Sequence, residues 1–279
     1  MDSATANHTT PPRAFLRWAG GKTWLVRRLS DLFGEIAFNQ YHEPFLGGGS
    51  FFFATGHTSR SFLSDKNEAL IEAYQAIKSD CEKVIEYLNE YTNCADEYYR
   101  IRSSTSSNNF ERAAHFIYLN QTSFNGIYRV NLDGVYNVPY GHRQKNFLDV
   151  DALRAASRAL SNATLRSRDF DDSLADIEAG DLVFIDPPYT VSHNNNGFIK
   201  YNKSLFSLDD QYRLAKFVDE IRRKDAKYIL TNAAHTKIKE IFDVGDRHIE
   251  VNRASLIGGK KAQRGAVEEF IFTNLEAPK

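Results

Sequence analysis

The sequence is poor in several features that would have narrowed its function. Only two cysteines occur in 279 residues, Cys81 and Cys94. No histidine stands at ligand spacing from them, so neither a disulfide framework nor a zinc centre is encoded, and no metal is expected. A reducing cytoplasm follows as the expected location. No apolar run approaches the ~20 residues that cross a bilayer, so no membrane partner is expected either. Excess charge of one sign is lacking too: 35 Lys and Arg against 36 Asp and Glu leave a net charge of -1. Any polyanion must be met by local patches. One more lack concerns Phe15–Thr23, FLRWAGGKT, which ends like a triphosphate-binding loop. That loop, G-x-x-x-x-G-K-[ST], needs a glycine where this chain has Leu16, which opposes an ATP-using enzyme.

What is present is an alternation of elements. Residues 1–14 are polar and proline-bearing and read as a flexible tail. Apolar spacing predicts one helix over Lys22–Phe33, closed by Gly34, and strands near Tyr41–Phe45 and Ser61–Ser64. Helices follow over Glu68–Lys78, Cys81–Glu90 and Phe110–Leu119, with a polar break at Ser103–Asn109. Asp133-Gly134 between alternating arms, from Tyr128 to Val138, predicts a β-hairpin. Strand-like runs then resume at Leu182–Ile185, Tyr228–Leu230, Ile249–Val251 and Phe270–Phe272. One α/β domain over 15–66 and 162–279, interrupted by an insertion over 67–161, accounts for this order better than two domains in tandem.

The strongest chemical signal is Asp181–Tyr189, DLVFIDPPY. Its apolar run predicts a strand buried on both faces, which delivers Asp186 to the sheet edge where open α/β proteins bind ligands. Pro187 and Pro188 fix an extended path that aims the Pro187 carbonyl and the Tyr189 ring. A turn-capping aspartate beside a packed tyrosine reads the same residues. The first strand runs into Glu43–Ser50, EPFLGGGS, whose glycines let the chain approach a ligand closely. The dinucleotide spacing G-x-G-x-x-G is missing there. Asp65 ends the second strand, where an acidic residue accepts hydrogen bonds from ribose hydroxyls. Together these describe a nucleoside-bearing cofactor without a long phosphate cradle.

Taken in order, FLRWAGGK, EPFLGGGSFF, LSDKN, NQTSFNGIYRVNLDGVYNVPYG and DPPYT closely resemble the DNA adenine-N6 methyltransferases of the Dam type, over roughly Phe15 to Asn274. The resemblance implies an α/β fold: a Rossmann-like S-adenosylmethionine-dependent methyltransferase sheet with an inserted, mainly helical target-recognition domain carrying a β-hairpin. It implies S-adenosyl-L-methionine as cofactor. Trp18, Ala19, Gly20, Gly21 and Lys22 would serve its methionine end, and Glu43, Pro44, Phe45, Gly47, Gly49 and Ser50 would line it. Asp65 would bind the ribose, with Asn67 in the same motif, and Asp169-Phe170 would meet the adenine ring. Asp186 would face both cofactor and target base.

The chemistry follows from the target. An exocyclic amine conjugated to a purine is a poor nucleophile, and acceptors at Asp186 and the Pro187 carbonyl would free its lone pair for the methyl group. Tyr189 offers a face for an extruded base. For double-stranded DNA the candidates are Arg17, where many members have lysine, with Asn120, Asn125, Arg129, Asn137, Arg143 and Lys145. Phe124 would be a wedge beside Asn125. Lys260 and Lys261, near Arg264, suit phosphates, and a solvated loop reads equally well there. Ile127, Arg129 and Pro139, with Arg17 and Asn125, match positions that relatives use to read GATC. The Asn-rich segment 191–197 has the composition of a lid. A monomer is expected, with a restriction endonuclease of the same site as a possible functional counterpart and no stable complex. Two other readings stand: methylation of the cytosine amine, opposed by Asp186 where such enzymes carry Ser, and a DNA-binding protein that has lost turnover.

Overall fold

A computed structural model describes residues 12–57, 59–131, 134–190, 206–254 and 266–278. Residues 1–11, Asp133, the Asn-rich segment, Lys260, Lys261 and Arg264 lie outside these, so the expectations that fall on them do as well.

The strands are β1 (Tyr41–Glu43), β2 (Ser61–Asp65), β3 (Ala163–Ser167), β4 (Leu182–Ile185), β5 (Lys227–Ala233), β6 (Arg247–Ala254) and β7 (Ala266–Thr273). They form one seven-stranded sheet in the order β3-β2-β1-β4-β5-β7-β6. β1 is parallel to β2 and to β4, β4 is parallel to β5, and β7 runs antiparallel between β5 and β6. Chain order proceeds outward from β1 through β2 to β3 in one direction and from β4 to β5 in the other, where β7 is then inserted between β5 and β6. The β1/β4 junction is therefore the topological switch point, outside whose carboxyl ends α/β sheets hold their ligands. The expected strands are all present; β3, with only alternate residues buried, had no apolar run to announce it.

The chain divides into two compact units. One contains Ser30–Leu46, Ser59–Lys66 and Arg166–Lys279, and so nearly all of the sheet. Val183, Ile185, Tyr228 and Leu230 of β4 and β5 pack there with Leu214, Phe217 and Ile221 of α8 (Leu208–Arg223). A reciprocal capping box between Ser207 and Asp210 starts α8. The other unit contains the chain up to Leu29, Gly47–Thr58 and Asn67–Leu165. It holds α3 (Ser50–Thr55), α4 (Glu68–Glu90), α5 (Ala95–Ser103), α6 (Asn109–Thr122) and α7 (Val150–Ala159).

Three local expectations change. The helix expected over Lys22–Phe33 is two short ones, α1 (Thr23–Val26) and α2 (Leu29–Phe33). Their apolar residues serve different cores: Leu25 is buried in the helical unit, and Leu32 and Phe33 in the sheet-bearing one. Gly34 does end α2, at φ 65° with its N–H on the Ser30 carbonyl. The separation expected between Lys78 and Cys81 survives only as a kink within α4, where Asp80 leaves helical geometry and its carboxylate accepts from the Lys83 N–H. The hairpin has no continuous ladder among the described residues. Single bridges pair Val130 with Tyr136 and Ser123 with Tyr140. Side chains complete the pinning: Asn131 accepts from the Val135 N–H at 2.8 Å, and Pro139 has no N–H to give.

Candidate active site

The sheet-bearing unit delivers carboxylates to the C-terminal ends of three neighbouring strands: Asp65 ends β2, Glu43 ends β1, and Asp186 follows β4. Glu43 is buried and accepts from the Tyr41 hydroxyl at 2.6 Å. Burial, then Glu43 itself, pushes that phenol well above its ordinary pKa, so Tyr41 remains a neutral donor. Pro44 is buried beside it, and the Asp65 carbonyl accepts from the Arg168 N–H at 3.1 Å. Asp186 is half-buried, and Thr231 of β5 contacts its Oδ1 at 2.8 Å. Pro187 is buried, Pro188 exposed and Tyr189 half-buried, so the tetrad passes from the sheet to the surface within four residues.

Asp169 and Phe170 lie in the same unit. Phe170 is buried, stacked on Phe45 at 5.2 Å between ring centroids, with the Arg213 guanidinium over its ring. Asp169 takes an ion pair from Arg213 at 2.8 Å and a longer one from Lys66 at 3.5 Å. Arg213 also pairs with Asp171 and Asp210, and these partners, Asp171 foremost, hold its pKa above the usual value. Sequence reasoning missed Arg213; a lone arginine on an amphipathic helix carries no signal of its own.

In the helical unit the glycine loop and the opening segment meet. A Cβ on Gly47 would lie 2.8 Å from the indole nitrogen of Trp18, and one on Gly48 2.6 Å from the Trp18 Cβ. Small residues are thus required where the tryptophan lies on the loop. Trp18 also stacks on Tyr128, at 5.8 Å. Gly49 adopts φ 62° at the N-cap of α3, and Ser50 Oγ accepts from the Lys22 N–H at 2.8 Å. The Lys22 ammonium is buried and donates to the Gly20 carbonyl at 2.7 Å, while Ala19 and Gly21 are exposed. Asn67 caps α4 through the Leu70 N–H.

The nucleic-acid candidates of this unit divide by burial. The Asn120 side chain is buried and bonds both the N–H and the carbonyl of Arg17, at 2.8 Å each, which is a structural placement. Arg17 in turn donates to the carbonyls of Gln121 and Ser123. Burial, and then Arg143, lowers its pKa. Phe124 is 51% exposed and Ile127 40%. Asn125, between them, holds a left-handed φ of 55°. Arg129 is half-buried, its Nε donating to the exposed Asn137 Oδ1 at 2.7 Å. Pro139 and Lys145 are exposed, and the Arg143 carbonyl accepts from Asn93 at 2.7 Å.

The mixed α/β sheet places a carboxylate and two prolines at its switch point, where α/β enzymes bind their ligands. The chain belongs to the D12 class N6 adenine-specific DNA methyltransferases, whose family model matches residues 18–255. It is similar to the Type II methyltransferase M1.LlaDCHI of Lactococcus lactis subsp. cremoris, at 32% identity over 94% of this chain and 95% of that one. It is also similar to the Type II methyltransferase M.MjaIII of Methanocaldococcus jannaschii, at 32% identity over 93% and 98%. The DNA adenine methylase of Escherichia coli (strain K12) is 31% identical over 93% and 94%. The protein is therefore an adenine-specific DNA methyltransferase acting on the N6 amine. Among the described residues no helix is long and apolar enough to cross a membrane, and no cluster of metal ligands occurs.

Proposed function

We propose that this enzyme uses S-adenosyl-L-methionine to methylate the N6 amine of an adenine extruded from double-stranded DNA, within GATC or a closely related short site. The observation that carries the reading is the position of Asp186 at the switch point, in a row with Glu43 and Asp65. Three carboxylates at neighbouring strand ends suit a cationic ligand that bears ribose hydroxyls and an ammonium group, which is the chemistry of this cofactor. When bound, the cofactor supplies an activated methyl group.

The chain's own residues do the rest. Asp65 accepts from the ribose hydroxyls, and Lys22, in the segment from Trp18, meets the carboxylate at the methionine end. Asp169-Phe170 faces the adenine ring. Asp186 and the Pro187 carbonyl accept the two N–H bonds of the target amine, which stabilises the positive charge that develops on the nitrogen. Tyr189 supports the extruded base. Residues 15–66 and 162–279 form the catalytic part, and 67–161 is the target-recognition insertion.

Specificity rests on the segment from Phe124 to Pro139. The exposure of Phe124 supports its role as a wedge that fills the vacated stack. Arg129 reads a guanine edge, with Asn137 restricting its guanidinium. Arg143 and Lys145 are phosphate contacts, and Lys260 and Lys261 are assigned with them. The enzyme works as a monomer in the cytoplasm, and a restriction endonuclease of the same site would act on the DNA without binding the methyltransferase. Sequencing of methylated adenines in DNA treated with the purified enzyme tests the site. Modification confined to GATC supports the tetranucleotide, and modified adenines outside it refute it. Calorimetry with the cofactor alone tests the binding assignment separately.

A further inference from the structure

Asp186 needs more than a strand to hold it. The two prolines after it have no backbone N–H to donate, so side-chain hydrogen bonds carry more of the task of holding this turn. The parallel register of β4 and β5 pairs Ile185 with Leu230, which brings the next residue of β5, Thr231, level with Asp186. Thr231 is fully buried, and its hydroxyl lies 2.8 Å from Asp186 Oδ1. An ionised carboxylate only accepts, so the threonine donates. The next residue, Asn232, points to the opposite face by strand alternation. Its amide donates to Gln211 Oε1 at 3.0 Å, the Gln211 amide donates to Thr190 Oγ1 at 2.9 Å, and the Thr190 hydroxyl donates to the Phe206 carbonyl at 3.1 Å. Asn232, Gln211 and Thr190 are all fully buried. Such a chain is costly unless complete, and here each link has its partner.

We infer that Thr231 and Asn232 are positioning residues for methyl transfer. Thr231 fixes rotation of the Asp186 carboxylate and so sets where its second oxygen points. Asn232, through Gln211 and Thr190, fixes the chain as it leaves Tyr189. The inference rests on the proposed role of Asp186 as acceptor of the target amine.

The test is the single-turnover rate with labelled S-adenosyl-L-methionine and unmethylated DNA, both saturating, for Thr231→Val, Thr231→Ser and Asp186→Asn. Thr231→Val, isosteric but without a donor, should lower the rate at least about tenfold while cofactor affinity stays within about twofold, and Thr231→Ser should restore it. Gln211→Met should slow transfer in the same way, with cofactor affinity again retained. Thr231→Ala removes the donor without β-branch crowding and replaces the valine variant if that one does not fold. A valine variant as fast as wild type overturns the inference, as does a serine variant as slow as valine, because packing would then be the cause. Unchanged transfer in Gln211→Met removes the Asn232 arm. Asp186→Asn separates the two claims. If it is inactive while Thr231→Val is fast, only the positioning role fails; if it remains active, the acceptor role of Asp186 fails first.

Discussion

Replacing Gly47 by alanine isolates what the glycine loop does for Trp18. The residue sits at φ 47°, a left-handed conformation that costs an L-residue about 1–2 kcal/mol. Its new methyl would also lie 2.8 Å from the Trp18 indole nitrogen and 2.9 Å from the adjacent carbon. Relieving that overlap in a packed setting costs about 1–3 kcal/mol more, so Gly47→Ala should destabilise by about 2–5 kcal/mol. In a Trp18→Ala background the indole is gone and only the backbone cost, about 1–2 kcal/mol, should remain. Gly134→Ala is the control, because that glycine has φ 76° and, among the described residues, nothing within 4 Å of an added Cβ. Urea unfolding followed by far-ultraviolet circular dichroism reads wild type and the four variants without relying on tryptophan fluorescence. The reasoning fails if Gly47→Ala costs no more than Gly134→Ala, or if its cost is the same with and without the indole.

Asp65→Ala should weaken cofactor binding by about 1–3 kcal/mol if a charge-assisted hydrogen bond to the ribose is lost; unchanged affinity by calorimetry would move the ribose contact elsewhere. Arg129→Ala should cost about 1–3 kcal/mol of discrimination at one base pair, and Asn137→Ala should reproduce part of that loss by releasing the guanidinium. Equal loss on every sequence would make Arg129 a phosphate anchor. Burial lowers the pKa of His57 to about 4, so the folded state favours the neutral ring. Its contribution to stability is present above the ordinary pKa of 6.5 and is lost as pH falls from there through about 4. Urea midpoints between pH 7 and pH 4 should fall more steeply for wild type than for His57→Gln, and parallel curves would refute the assignment.

β2 and β4 were legible because their short apolar runs stop at acidic residues, which also exposed Asp65 and Asp186. Edge and amphipathic elements left weaker traces. β3 buries alternate residues only, and α5 buries just Tyr98 and Ile101 within a charged segment. The glycine loop was readable as a close approach, yet its neighbour Trp18 was not, since the two lie far apart in sequence. Asn120 has the residue type of a base reader but spends its amide on the Arg17 backbone. Thr231 had no motif. Its place follows only from the register of β5 against β4, which composition does not encode.

The most direct test is to incubate the enzyme with methyl-labelled S-adenosyl-L-methionine and unmethylated DNA, digest the product to nucleosides and identify the labelled one, for wild type and for Asp186→Ala. The account predicts label only in N6-methyldeoxyadenosine with wild type, and none with a folded Asp186→Ala variant that still binds the cofactor. Label on the cytosine amine, or undiminished transfer by that variant, would contradict it.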